Sequence, residues 1–251
     1  LAAALQLFSL SPAGVRDAAP HLAAARRLAD GATPRERLLV DAIGCWAEGR
    51  IDCALRLHLE IAGRWPRDLV SARIAQYHQL NRGDFAGMRR LAELLVGANP
   101  DVPAVKGMLA FALEQTGETG AAERLGRAAA DAGFDPWAEH AVAHALERQG
   151  RPREGLDFLR LRGPGWDRCS SFLYTHNWWH VALFHLELGE TGEALALFDQ
   201  RVWGVRKAYA QDQANAVSLL ARLELKGAET GARWLEVGEW LKPRTGEHLN
   251  G

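Results

Sequence analysis

The chain has 251 residues, of which 48% are hydrophobic, and its 30 basic and 31 acidic side chains leave a formal net charge of -1. This composition allows a sizeable core, and the balanced charge gives no electrostatic footprint for nucleic acid. No apolar run reaches the length of a membrane-spanning helix, so we expect neither a nucleic-acid partner nor a membrane partner.

The opening stretch LAAALQLFSLSPAG is apolar but has no charged leader, and it is not interpreted as a signal peptide. The three cysteines, Cys45, Cys53 and Cys169, are irregularly spaced and form no Cys-x-x-Cys pair. That spacing argues against both a thiolate zinc site and a disulfide scaffold. We therefore expect reduced, packed thiols in a cytoplasmic protein.

Glycines recur along the chain at a nearly constant interval. They are Gly49, Gly83, Gly117, Gly150 and Gly189, separated by 34, 34, 33 and 39 residues. Each ends a segment with helical periodicity, and four are followed five positions later by a small residue. Small residues at a fixed offset let two antiparallel helices approach closely, and the glycine supplies the turn between them. No stretch alternates as a strand, so the pattern predicts an all-α protein.

The period divides the chain into antiparallel helix pairs. We place them at about 33–66, 67–100, 101–135, 136–161 and 175–202, with partial flanking pairs at 1–32 and 208–242. Residues 162–174, rich in Gly, Pro and Ser, are predicted to be an insertion loop, and such loops often lie on a binding face. We expect one continuous domain over 1–251, folded as a right-handed superhelix of helix pairs, an α-solenoid.

The pattern resembles tetratricopeptide repeats, which share the 34-residue period, the small residues at the helix crossing and a proline at the repeat junction. The stretches GMLAFALEQTG, WAEHAVAHALERQG and THNWWHVALFHLELGE are similar to the tetratricopeptide repeat protein 38 family. The similarity is densest from Gly107 to Asp199. It implies a helical-repeat fold and implies no particular reaction or cofactor.

Two His-x-x-x-His pairs, His140/His144 and His176/His180, are the main candidates for chemistry. Residues four apart share a helix face, so each helix can present both of its imidazoles together. The resemblance implies that the first helix of each pair lines a concave groove, which would bring the two pairs into one pocket. The predicted ligand-binding residues are Tyr77, Phe111, Trp137, His140, His144, Glu147, Tyr174, His176, Trp179 and His180.

The first functional hypothesis is a helical-repeat binding protein whose His- and Trp-lined pocket receives a small molecule or a short peptide. The first alternative is an enzyme, with or without a metal ion, that uses the paired histidines as acid–base groups or metal ligands. HAVAH lacks the glutamate of the His-Glu-x-x-His motif, so a zinc hydrolase would have no base in its usual place. The second alternative is a protein-interaction adaptor. The sequence does not fix a cofactor, a catalytic residue, a metal or an oligomeric state.

The isolated histidines are expected to be packing residues with ordinary hydrogen-bond partners. They are His21, His58, His78 and His248.

Overall fold

The computed structural model describes residues 1–246, and every regular element within them is helical. The α-helices are α1 (Ala2–Leu7), α2 (Pro12–Arg27), α3 (Pro34–Ala47), α4 (Ile51–Arg64), α5 (Leu69–Asn81), α6 (Phe85–Ala98), α7 (Pro103–Gln115), α8 (Thr119–Ala132), α9 (Pro136–Arg148), α10 (Pro152–Arg162), α11 (Ser171–Glu187), α12 (Thr191–Leu197), α13 (Ala210–Leu225) and α14 (Arg233–Leu241). The predicted all-α class is confirmed. His248 lies outside the described residues.

The described residues form two compact units, Leu1–Val105 and Lys106–Gly246, and the boundary between them falls near the start of α7. In the first unit, α3 packs against α4, and α4 packs against α5. In the second, α9 packs against α8, α10 and α11, and α11 also packs against α13. The single continuous domain expected from the sequence stays a prediction.

The recurring glycines end the first helix of successive pairs. Their φ angles are 71° at Gly49, 69° at Gly83, 91° at Gly117, 66° at Gly150 and 77° at Gly189. Each closes its helix in the same way: the glycine N–H donates to the carbonyl three residues earlier, and the next N–H donates to the carbonyl five residues before it. This Schellman motif needs a left-handed residue, which glycine adopts without steric cost. Gly227, with φ 80°, ends α13 in the same way and extends the series beyond the five predicted positions.

Gly155 shows why a small residue is needed where neighbouring helices cross. A Cβ atom at this position in α10 would lie 2.2 Å from the ring of Phe184 in α11. Phe184 is itself fully buried in the core of the second unit. The close packing of α10 against α11 therefore depends on a missing side chain.

Gly155→Ala is expected to destabilise the protein by about 1–3 kcal/mol, because the added methyl group overpacks the buried ring of Phe184. Gly238→Ala is the control, since a Cβ on this glycine of α14 would meet no heavy atom within 4 Å. It should raise stability by ~0.5–1 kcal/mol through its better helix propensity. Urea denaturation of both variants measures the difference, and equal effects would mean that the α10–α11 contact is not tight.

Residues 162–174 are more ordered than the predicted loop. A 3₁₀ turn covers Gly163–Arg168, and α11 begins at Ser171, four residues before the predicted start. Trp166, expected beside a binding face, is completely buried, and its Nε1 donates to the carboxylate of Glu139 at 2.6 Å. The segment is therefore anchored to the core by Trp166, whose ring supplies the buried apolar area, while several of its other residues are exposed.

The expectation of three reduced thiols is wrong for two of the cysteines. Cys45 in α3 and Cys53 in α4 form a disulfide across the glycine turn that joins the two helices, with their Cα atoms 5.8 Å apart. Cys169 is a free cysteine. The separation of eight residues gave no signal of this pairing, because only the hairpin turn brings the two side chains together.

None of the helices that the structure describes combines the length and the apolar character needed to cross a bilayer.

Two of the isolated histidines, His58 and His78, lie in the core of the first unit, as expected for packing residues. His58 Nδ1 lies 2.7 Å from Ser71 Oγ, whereas the Nε2 atoms of both rings are buried without a hydrogen-bond partner. The pKa of both rings is lowered to about 4, chiefly by burial. At His58 the charge of His78 contributes to the lowering, and Asp68 opposes it. Both rings are therefore neutral in the folded protein at pH 7.

Lowering the pH from 7.5 to 5 is expected to cost about 2 kcal/mol of folding stability for each of these two histidines. Their folded pKa of about 4 lies below the unfolded value of 6.5, so between these limits the unfolded chain binds more protons. The contribution of the two neutral histidines to the free energy of unfolding is nearly complete above pH 6.5, and it decreases as the pH drops towards 4. Urea denaturation at the two pH values measures the loss. A His58→Gln/His78→Gln variant should lose correspondingly less, and equal losses in both proteins would contradict the burial argument.

Candidate functional site

Helices α9 and α11 of the second unit each carry one histidine pair. The side chain of Asp135 caps α9 by accepting from the Ala138 N–H at 3.1 Å, and Pro136 occupies the first turn. The side chain of Ser170 caps α11 through the N–H of Leu173 at 3.5 Å. These caps define where each helix begins. The spacing of four residues then places both histidines of each pair on one face of its helix.

The two pairs meet in one cluster, which consists of His140, His144, His176 and His180. One ring nitrogen from each residue lies within 4.8 Å of the corresponding nitrogen of every other. The shortest approaches centre on His140, whose Nε2 is 2.9 Å from Nε2 of His144 and 3.0 Å from Nε2 of His176. The sequence-based expectation that the two pairs share one location therefore agrees with this geometry.

The four rings are packed directly against one another. The centroid of His140 lies 4.4 Å from that of His144, 4.8 Å from that of His176 and 5.0 Å from that of His180. His180 lies 4.6 Å from His144 and 4.9 Å from His176 by the same measure. At these separations aromatic rings are in van der Waals contact, so no organic group fits between them.

The outward-facing nitrogens of three of these rings meet polar groups on other residues. Nδ1 of His176 lies 3.0 Å from Oδ1 of Asn215 in α13. Nδ1 of His144 lies 3.8 Å from a carboxylate oxygen of Glu114, and Nδ1 of His180 lies 3.5 Å from one of Glu147. Of these three contacts, the one to Asn215 is a hydrogen bond, and an acceptor in that place holds the proton of His176 on Nδ1 and leaves Nε2 free. The carboxylates of Glu114 and Glu147 lie near His144 and His180 without a hydrogen bond to them.

Burial keeps three of the four imidazoles neutral. It lowers the pKa of His144 to about 3 and that of His176 to about 4, and it lowers the pKa of His180 well below its ordinary value. The neighbouring imidazoles add to this effect at His144 and His180, whereas the hydrogen bond that His176 donates to Asn215 opposes it at His176. Neutral imidazole is the form that binds transition metals.

The carboxylates beside the cluster are also affected by burial. Burial raises the pKa of Glu114, and the hydrogen bonds from Gln115 and Arg148 only partly oppose the rise. Burial likewise raises the pKa of Glu147, whose carboxylate is further disfavoured by the nearby charge of Glu187. A carboxylate in such surroundings is stabilised by a cation nearby.

Four other predicted site residues lie around the histidines. The ring of Trp179 stacks on His176 at 5.3 Å with an interplanar angle of 8°. Phe111 lies 5.4 Å from His140 and Trp137 lies 5.7 Å from it, both measured between ring centroids. Together with Glu147, these side chains lie next to the histidine cluster; that they bind a ligand stays a prediction.

The remaining two predicted residues have their contacts elsewhere. Tyr77 belongs to the first unit, where its ring lies 5.2 Å from Phe8 and 5.9 Å from Trp46. Tyr174 is in α11, but its ring lies 6.4 Å from Trp178 and its hydroxyl accepts from Arg201 at 2.7 Å. It stands two residues before His176, and on a helix that spacing points two side chains to different faces.

Three contributors were missing from the predicted site. Phe172 stacks on His176 at 5.1 Å, while Glu114 and Asn215 are the partners described above. A partial sequence signal for Glu114 is its position three residues before a turn glycine, which it shares with Glu147. There is no such signal for Asn215, since it is one of several polar residues in α13 and no spacing sets it apart from the others.

No known protein-family model matches this chain. The cluster itself combines four imidazoles with converging nitrogens, oxygen atoms beside three of the rings, and aromatic rings around them.

Proposed function

We propose that this protein binds one divalent transition-metal ion through His140, His144, His176 and His180, and that the bound ion joins α9 to α11. The observation that carries the proposal is that one ring nitrogen from each of the four residues lies within 4.8 Å of the others. Imidazole nitrogen is a ligand for ions such as Zn²⁺, Cu²⁺, Ni²⁺ and Fe²⁺, whereas Mg²⁺ and Ca²⁺ prefer oxygen.

The separations are close to those of a tetrahedral site. Bonds of about 2.0–2.1 Å from zinc to nitrogen place neighbouring nitrogens roughly 3.4 Å apart. The observed separations run from 2.9 Å to no more than 4.8 Å, so they bracket this value. Shifts of a few tenths of an ångström to about 1 Å would bring the rings onto a common ion.

The number of protons available on the ring nitrogens also favours a cation bound within the cluster. Nε2 of His140 lies within 3.0 Å of two other Nε2 atoms, yet a neutral ring carries a single proton. His176 directs its Nδ1 at the oxygen of Asn215, which places its own proton away from the cluster. Nitrogen lone pairs that face each other without a proton between them repel each other. A metal ion at that position would accept these lone pairs as ligands and remove the repulsion.

An ion fits the cluster better than the small molecule or peptide of the first functional hypothesis. The rings are in mutual contact, so a ligand within the cluster has to be a single atom. A larger molecule would have to bind outside the four rings, against Trp137, Phe172 or Trp179.

Titration of metal-free protein with Zn²⁺ or Co²⁺ tests the proposal. We expect uptake of one ion per chain, with an absorption spectrum of tetrahedral Co²⁺, and no saturable uptake of Mg²⁺. Failure to bind any of Zn²⁺, Co²⁺, Ni²⁺ or Cu²⁺ with a dissociation constant below about 10 μM would rule it out.

The enzyme alternative is retained because the cluster is accessible at one edge. His144 exposes 27% of its side chain and Glu147 exposes 38%, so the ion would be reachable from solvent beside a carboxylate. Four protein ligands are typical of structural sites, whereas catalytic sites keep a position open. Azide added to the Co²⁺ form distinguishes the two: a changed spectrum indicates an open position, and an unchanged one indicates a structural ion.

We also propose the finer architecture expected from the sequence, a right-handed superhelix of the tetratricopeptide-repeat type. It is supported by the glycine turns that end α3, α5, α7, α9, α11 and α13 in the same conformation. A cytoplasmic location is also a proposal: the free thiol of Cys169 supports it, whereas the Cys45–Cys53 disulfide is more typical of secreted proteins. Cell fractionation tests it.

A further inference from the structure

A chain of hydrogen bonds leads from a buried carboxylate in α13 to the histidine cluster. Asp212 is only 1% exposed and accepts from the hydroxyl of Ser171 and, at 2.7 Å, from that of Thr175. Oγ1 of Thr175 in turn lies 3.3 Å from Nδ2 of Asn215, which can donate to it. The other end of the same amide, Oδ1, lies 3.0 Å from Nδ1 of His176.

We infer that Asp212 is a positioning residue, which acts through Thr175 and Asn215 to hold the proton of His176 on Nδ1. The Nε2 lone pair of His176 is thereby directed at the other three imidazoles. The inference deepens the proposed function and rests on it only where metal affinity is concerned; the position of the proton is a property of the metal-free protein.

The hydroxyl of Thr175 has a single proton to donate. Two acceptors are in reach, a carboxylate oxygen of Asp212 at 2.7 Å and the backbone carbonyl of Phe172 at 3.0 Å. The carboxylate is closer and charged, and hydrogen bonds to charged acceptors are the stronger ones. The hydroxyl therefore donates to Asp212, which leaves its oxygen as an acceptor for a third group.

The orientation of the Asn215 amide follows from the direction of this hydrogen bond. An oxygen that accepts has to be met by the amide nitrogen and not by the amide oxygen, so Nδ2 faces Thr175. Oδ1 then faces His176, and because it can only accept, the ring has to place its proton on Nδ1. The carboxylate thus determines the tautomer of a histidine that it does not touch.

Burial sets the strength of this effect. Asp212, Thr175 and Asn215 are all buried, so water competes little for their hydrogen bonds. Burial raises the pKa of Asp212, while the hydroxyl groups of Ser171 and Thr175 oppose the rise by stabilising the carboxylate. Outer partners of this kind, when removed, cost 10–100-fold in metal affinity in proteins generally.

The test uses the metal-free protein with ¹⁵N-labelled histidine and long-range ¹H–¹⁵N correlation spectra, which report which ring nitrogen is protonated. We expect His176 to be protonated on Nδ1 in the wild type and to become a mixture of tautomers in Asp212→Asn, whose amide can donate as well as accept. Thr175→Val, which removes the relaying hydroxyl at nearly constant volume, should have the same effect. It keeps the test decisive if Asp212→Asn does not fold.

Ser171→Ala is the matched control, because it also removes one hydrogen bond to Asp212 but leaves the path to His176 intact. Zinc affinity should fall 10–100-fold in Asp212→Asn and Thr175→Val and change by less than about threefold in Ser171→Ala. Circular dichroism of each metal-free variant separates these effects from unfolding.

Protonation of His176 on Nε2 in the wild type would overturn the inference. So would an unchanged tautomer in the folded Asp212→Asn and Thr175→Val variants. If the tautomer responds as expected but none of the proteins binds a metal, the inference about Asp212 stands and the proposed metal-binding function fails.

Discussion

The double variant His144→Ala/His176→Ala is expected to lose zinc affinity by about 10⁴-fold while keeping its helix content. A structural zinc site is worth roughly 12 kcal/mol, or about 3 kcal/mol for each of four ligands, and two ligands lost correspond to about 6 kcal/mol. These two histidines are the more exposed members of the cluster, so their truncation leaves a smaller buried cavity than that of His140 or His180. Isothermal titration calorimetry measures the affinity, and circular dichroism measures the helix content.

His185→Gln is the matched control, because it changes a histidine of the same helix that lies outside the cluster. Nδ1 of His185 is 2.6 Å from Glu190 and its Nε2 is 3.1 Å from a guanidinium nitrogen of Arg160. Zinc affinity should be unchanged in this variant. If the double variant binds zinc as tightly as the wild type, the cluster is a packing feature; if it unfolds, the single variants His144→Ala and His176→Ala, each expected to lose about 100-fold, decide the question.

Removal of the metal is expected to lower the stability of the second unit by about 4 kcal/mol, relative to protein with free zinc at a thousand times its dissociation constant. The proposed ion would bind ligands on α9 and α11 that are brought together only in the folded state, so its binding free energy would add to the free energy of unfolding. For a protein of this size the corresponding change in Tm is roughly 8–16 °C. Thermal unfolding followed by circular dichroism, with zinc and with a chelator, measures it.

Two comparisons make this result specific. The His144→Ala/His176→Ala variant should unfold at the same temperature with and without zinc. The stability of wild-type protein should be insensitive to Mg²⁺, since imidazole is a poor ligand for it. An equal Tm with zinc and with chelator, at zinc concentrations well above the measured dissociation constant, would contradict the idea that the ion joins the two helices.

Local rules predicted most of the architecture. Gly49, Gly83, Gly117, Gly150 and Gly189 are recognisable because a left-handed residue at a helix end restricts the choice of amino acid regardless of what the helix packs against. Gly155 was recognisable for a related reason, since it belongs to the small residues that stand five positions after four of the five turn glycines, and at this crossing even a Cβ is excluded. The insertion at 162–174 was predicted less well, because the burial of Trp166 depends on Glu139, 27 residues away.

The sequence by itself determined that the chain is helical, where its turns are and that each histidine pair lies on one helix face, because all three follow from periodicity within a few residues. Only the tertiary structure decided that α9 and α11 bring the two pairs within 4.8 Å, and that Tyr77 and Tyr174 make their contacts elsewhere. It also supplied Asn215 and Asp212, which lie on a helix more than 30 residues beyond the histidine that they orient. The physical reason is that a ligand set and its outer partners are defined by distances between helices, and no local pattern encodes the packing that sets those distances.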